Sequence, residues 1–156
     1  DDGGGVAYSS DDKNSEDNAE GCIKFSVNGA IQDYQANDLG LPLMSGKLKN
    51  VIDSAVCEKH QWESSLIQVD NSKMLEYFIP RFSDEIDVIS RGKSKIINGP
   101  IGEIIMKACL QESKVGELEF FPLTKSSMRL VVSSRLKEEI EARNLTGIEF
   151  STVPVA

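Results

Sequence analysis

This chain is short of the residue types and patterns that most enzymes and membrane proteins cannot do without. Its 156 residues hold one histidine, His60, and three cysteines, Cys22, Cys57 and Cys109. No apolar run approaches the roughly 18 residues needed to cross a bilayer, so no membrane span is predicted. The opening residues are polar and acidic, so no signal peptide is expected within this stretch of the chain, and a cleaved one upstream stays open. Its first residue is Asp1 and not Met, which reads as an upstream segment removed or never included. Three cysteines far apart make an odd count and no disulfide framework. They point to a reducing compartment and read as small apolar side chains inside the fold.

Catalytic signatures are missing as well. "DDGGGV" precedes no helix pattern and "VGEL" is too short a match, so no phosphate-cradling Gly-rich loop with its Lys is present. There is no Gly-x-Ser-x-Gly elbow and no His-Glu-x-x-His pair. Cys57 and His60 are three residues apart, but zinc sites recruit ligands as close pairs, and Cys22 and Cys109 are isolated. No metal or cofactor is expected, and His60 reads as a residue at a helix end, not the base of a Cys–His pair. Asp84, Glu85 and Asp87 stand at a strand start among polar residues. Glu138, Glu139 and Glu141 share a helix with Arg135, Lys137 and Arg143 and read as a solvated, salt-bridged face. Basic residues are interleaved with acids at a net charge of −8, which disfavours nucleic acid as a partner.

What is present is an uneven charge. Of the 25 carboxylates, seven lie in residues 1–20 beside a single cation, Lys13, giving that stretch −6. The remaining 18 carboxylates face 16 Lys and Arg, so the body carries only −2. Residues 1–20, with Gly3-Gly4-Gly5 and scattered Ser and Asn, read as an acidic flexible tail or linker. Residues 21–156 read as one globular domain.

The body has an α+β pattern, mostly antiparallel sheet with a few packed helices. "CIKFSV" is a predicted strand closed by Asn28-Gly29. The strongest helix spans about Ser45 to Glu58. There Leu48, Val51, Ile52, Ala55 and Val56 form one apolar stripe, Ser45 is the N-cap, and Lys59 and His60 sit near the C-terminal end. "SLIQVD" and "MLEYFIP" flank Asn71-Ser72 as a hairpin, and "EIDVIS" and "KSKIIN" flank Arg91-Gly92 as a second. "EIIMKACL" is ambiguous between strand and helix. "ELEFFPL" and "MRLVVS" are strands, with Pro122 ending the first or marking an edge. "SRLKEEIEARN" is a helix capped by Ser133, with Leu136 and Ile140 inward, Asn144 as a left-handed C-cap and Gly147 in a turn. About 14 residues separate "MRLVVS" from the strand "IEFSTV", which leaves room for a right-handed C-terminal βαβ unit.

"LVVSSRLKEEIEARNLTGIEFSTV" resembles the C-terminal signature of immunity protein family eleven from bacterial polymorphic-toxin systems. That signature is an apolar strand, a Ser-capped helix and a Leu-Thr-Gly-Ile-x-Phe strand. Upstream, "LPLMSGKLKNVID" is similar to the family's first helix and "LEYFIPRFSDEIDVIS" to its strand, turn and "iDvld" segment, so the resemblance runs from about Leu41 to Val153. "EFFPL" lacks the Arg of the family's "lfRl" segment, the central region is short, and nothing before Gly21 matches.

The resemblance implies a small cytoplasmic, non-enzymatic protein, encoded beside a toxin, that binds the toxin and occludes it. It brings no catalytic residues. Ser133, Leu136, Ile140, Gly147 and Phe150 become scaffold, which leaves recognition to other surfaces. An acidic chain suits a basic toxin, with a nuclease as first choice. The expected contact residues are exposed aromatics beside carboxylates: Trp62 with Glu63, and Phe82 with Asp84, Glu85 and Asp87. Two other functions compete, a regulatory or adaptor domain cut from a larger chain and a small enzyme that reverses toxin damage.

Overall fold

Period-two burial builds the first half of the chain into a sheet. The computed structural model describes residues 6–8, 23–27, 29–69, 73–82, 87–124 and 129–156. Apart from Val6–Tyr8, the acidic segment 1–20 therefore lies outside the described residues, as do Cys22, Asn28, the Asn71-Ser72 turn, Asp84 and Glu85. The strands are β1 (Val6–Tyr8), β2 (Lys24–Val27), β3 (Tyr34–Gln35), β4 (Leu43–Met44), β5 (Gln61–Val69) and β6 (Lys73–Arg81), with helix α1 (Gly46–Ala55) between β4 and β5. They form one six-stranded sheet in the order β1-β2-β5-β6-β4-β3.

The expected hairpin is its centre: β5 and β6 pair antiparallel from Gln61 opposite Arg81 to Val69 opposite Lys73. β2 runs parallel to β5, because β3, β4 and α1 supply the long crossover that parallel neighbours need. Alternate residues Phe25, Val27, Ile67, Tyr77 and Ile79 point to one face and bury together with Leu43. β1 pairs with β2, so part of the segment read as a tail is a strand.

Ser45 caps α1 as the sequence predicts, its Oγ accepting from the Leu48 N–H at 3.2 Å. Leu48 and Ile52 are buried beneath it. The helix stops at Ala55, short of Glu58, because buried Val56 turns to an extended backbone (φ −97°, ψ 141°) on the way into β5. Lys59 and His60 thus lie beyond the helix and do not serve its dipole.

This sheet and Glu138–Ile148 form one compact unit, and Phe82–Lys137 with Glu149–Ala156 a second. The second unit holds β7 (Lys95–Gly99), β8 (Gly102–Lys107), the single-turn α2 (Glu112–Val115), β9 (Phe120–Pro122), β10 (Leu130–Val132) and the start of α3 (Ser134–Ala142). "EIIMK" is a strand, and it, not "EIDVIS", is the partner of "KIING". Val88 and Ile89 lie instead against residues 109–111: Ser90 N–H donates to the Cys109 carbonyl and Gln111 N–H to that of Val88. The turn at Arg91-Gly92 exists but joins segments that do not pair with each other. Val88, Ile89, Leu110, Phe121 and Leu123 form the core of this unit. β9 and β10 pair antiparallel, with Pro122 at the last position of β9.

α3 follows its prediction. Ser133 Oγ accepts from the Leu136 N–H at 3.1 Å, Leu136 and Ile140 are buried, and Asn144 is left-handed at φ 52°. The expected C-terminal βαβ unit does not form. β10 is three residues long and pairs with β9, and residues 148–153 join no ladder. The backbone just before them is drawn elsewhere: Tyr34 N–H donates to the Thr146 carbonyl at 3.0 Å. Strand-like contact resumes only at Val155, in a single parallel bridge to Leu110.

Candidate functional site

The β7–β8 hairpin, "KIINGPIGEIIMK", carries isoleucine doublets in strands whose side chains alternate between faces. Each doublet must send one isoleucine to either side. Ile96 and Ile105, cross-strand partners, pack onto the core of the second unit. Ile97 and Ile104, partners on the opposite face, meet solvent at 44% and 43% exposure, with Met106 at 58%. Ile101, in the two-residue turn Pro100-Ile101, is 100% exposed. Gly99 makes room for this face: a Cβ there would stand 2.7 Å from Ile104 Cδ1, so Ile104 lies across the glycine.

The hairpin is basic in an acidic chain. Arg91, Lys93, Lys95 and Lys107 frame it against one carboxylate, Glu103. Arg91 Nη1 donates to both oxygens of Glu103 at 2.9 and 3.0 Å. Among the described residues none forms an ion pair with Lys93, Lys95 or Lys107, and Lys95 stands directly opposite Lys107. Like charges directly opposed across a ladder work against it.

Of the sequence-predicted contact residues, the four that are described, Trp62, Glu63, Phe82 and Asp87, have intramolecular partners, while Asp84 and Glu85 lie outside the described residues. Trp62 is half-buried on β5, its indole N–H donating to Asp53 Oδ1 at 2.9 Å and its ring 5.7 Å from the Lys49 ammonium. Glu63 accepts from the Arg81 guanidinium across the β5–β6 ladder. Phe82, half-buried in the second unit, packs its ring 5.3 Å from that of Phe120 at 58°. Asp87 is exposed and its Oδ1 accepts from the Ile89 N–H at 3.4 Å. Both aromatics are thus half-buried, Trp62 beside Asp53 and Lys49 and Phe82 beside the buried Phe120.

The residues weighed for catalysis are also differently placed. Cys109 is buried as expected, whereas Cys57 is exposed. His60 is half-buried; burial is the largest influence on it and pulls its pKa below the ordinary value, opposed by the charges of Glu58 and Asp53. Among the described residues no three of His, Cys, Asp and Glu converge on a point that would hold a metal ion. Arg135 leaves the acidic face of α3 for Glu119, with Nε and Nη2 each 2.7 Å from a carboxylate oxygen. That two-pronged bond holds the Glu119 carboxyl below its usual range. In the first unit an open groove of about 570 Å³ is lined by Lys47, Asn50, Val51, Ser54, Glu139 and Arg143. Its cations and carboxylate are too mixed to select one sign of ligand.

The profile of the Immunity protein family (Imm11) matches residues 22–155, most of the chain. The chain belongs to this family. No curated protein matches it. Within an Imm11 fold the C-terminal segment that carried the resemblance is scaffold: Ser133 caps, Leu136 and Ile140 are buried, and Gly147 packs against the Tyr34 carbonyl. Phe150 is half-buried, with the Lys137 ammonium 5.9 Å from its ring. No helix among the described residues of this Imm11 member is long and apolar enough to cross a membrane. Sequence reasoning passed over the outward face of β7–β8. The signal was in plain sight as Ile96-Ile97 and Ile104-Ile105, since a doublet in a two-stranded hairpin exposes one isoleucine unless both faces are covered.

Proposed function

We propose that this chain neutralises a cognate bacterial toxin by binding it one-to-one and occluding its functional surface, with no catalytic step of its own. The observation that carries this reading is the family match over residues 22–155. The toxin acts inside the cell, so the chain works in the cytoplasm and acts on protein, without nucleic acid or membrane as a partner. A net charge of −8 supports a toxin with a basic surface, a nuclease being the first candidate, because opposite charge accelerates encounter and rejects wrong partners. Protection at low copy number requires nanomolar affinity or better, about −12 kcal/mol. That affinity comes from a few buried anchors and not from area alone.

The test is co-expression of the chain with the toxin encoded beside it, followed by sedimentation of the purified pair. Growth is rescued, a one-to-one complex forms, and association slows as salt rises. Rescue that persists after complex formation is abolished, with the toxin's damage being repaired, supports the enzymatic alternative. Absence of both rescue and binding overturns the proposal.

A further inference from the structure

The structure assigns the outward face of the β7–β8 hairpin as a docking knob for an apolar cleft rimmed by carboxylates on the partner toxin. This rests on the reading of the chain as a toxin-binding protein and adds the surface and its chemistry.

Three observations converge. First, the cross-strand partners Ile97 and Ile104, with the fully exposed Ile101 at the turn, make an exposed apolar strip on a hairpin whose other face already fills the core, and Met106, unpaired at the register shift opposite Lys95 and Ile96, is exposed as well. Several apolar side chains exposed on one hairpin mark an interaction site, whereas singly scattered residues such as Leu39 do not. Second, the strip ends on a projecting side chain: Ile101, in the two-residue turn, is 100% exposed, so a surface that covers it must be concave. Pro100 fixes one backbone torsion there, and Gly99 seats Ile104.

Third, the charge around it selects the occupant. Lys95 and Lys107 oppose each other across the ladder, with Lys93 close by in sequence. Carboxylates on a partner relieve that repulsion. A second copy of this chain, meeting face to face through the same hairpin, sets lysines against lysines, because a two-fold interface pairs each patch with itself. The acidic net charge and the basic rim are compatible because they act at different ranges. The whole-chain charge governs approach, and the rim fixes register once surfaces are within about a Debye length, roughly 10 Å.

The experiment uses the full chain and a catalytically inactive form of the toxin domain encoded beside it, with Kd from calorimetry and oligomeric state from sedimentation. The variants are Ile101→Ser, Ile104→Ser with Met106→Ser, and Lys95→Glu with Lys107→Glu; Leu39→Ser, exposed but off the hairpin, is the control. Each hairpin variant keeps the wild-type far-ultraviolet spectrum and raises Kd about tenfold or more, while Leu39→Ser stays within about twofold. If wild type binds and all three hairpin variants bind within about twofold of it, the docking assignment is overturned while the immunity function stands. If wild type itself does not bind the toxin, both fall. If the variants only convert a wild-type dimer to a monomer, the strip is a self-association surface, and the assignment to a toxin is overturned.

Discussion

The Asp33 carboxylate accepts hydrogen bonds from both the backbone N–H and the hydroxyl of Thr146, 113 residues further along the chain, at 3.0 and 3.2 Å. Its own N–H is accepted by Thr146 Oγ1 at 3.1 Å, and its other carboxylate oxygen accepts from Ser45 Oγ at 2.7 Å. Since Ser45 Oγ also caps α1, one carboxylate ties the segment after α3 to the start of α1, within the first unit. The clasp makes the Leu-Thr-Gly signature a closure of the fold.

Breaking the clasp destabilises the protein without touching the hairpin. Thr146→Val removes the hydroxyl at nearly constant shape and costs about 1–3 kcal/mol. Asp33→Ala costs a similar amount. The double variant costs less than the sum, because each single change already removes the hydroxyl–carboxylate bond the two side chains share. Urea denaturation of the four proteins measures the coupling, and strictly additive losses argue against the clasp.

Stability falls toward acid as groups with lowered pKa values take up protons, and Asp33 and His60 mark two of the windows. Burial works to raise the Asp33 pKa, but the bonds from Ser45 and Thr146, helped by Lys47, outweigh it and hold the carboxyl below 3.8. His60 is held below 6.5, chiefly by burial. In both cases the unfolded chain binds the proton more readily, so the stabilising contribution is complete above the unfolded pKa and is lost as pH falls through the folded one. The expected curve declines first below pH 6.5 and again below pH 3.8. His60→Gln flattens the first decline and Asp33→Asn the second.

Gly147 tolerates no side chain. Its φ is +80°, and a Cβ would stand 2.3 Å from the Tyr34 carbonyl oxygen and 2.6 Å from Gln32 Oε1. Gly147→Ala loses roughly 2–4 kcal/mol, the sum of left-handed strain and a clash with fixed backbone. Gly40 also has positive φ, +64°, but nothing within 4 Å. Gly40→Ala costs only about 1–2 kcal/mol, and the difference in denaturation midpoint isolates the clash.

Leu136 and Ile140, at 0% and 4% exposure, are the buried stripe of α3. Replacing either by Ala costs about 2–5 kcal/mol. A loss of less than about 0.5 kcal/mol in thermal or urea unfolding contradicts their burial.

Local rules written into the sequence determined the elements. Serines 45 and 133 cap their helices, Leu48, Ile52, Leu136 and Ile140 fall at helical spacing, and β5 and β6 alternate. Each depends only on neighbours within a few residues, where capping geometry and periodicity act. The C-terminal signature likewise disclosed the family, because it fixes spacing within one short segment. Partner choice at long range was decided only by the tertiary structure. "KIING" had an adjacent segment on either side, and core packing of Val88 and Ile89 against residues 109–111 gave it to β8. "IEFSTV" alternates like a strand, yet Thr146 and Gly147 are held by Asp33 and Tyr34 and β10 is already paired, so it finds no ladder. The same holds for the binding surface: a sequence shows that isoleucines come in pairs, but only packing decides which member of each pair is left for a partner.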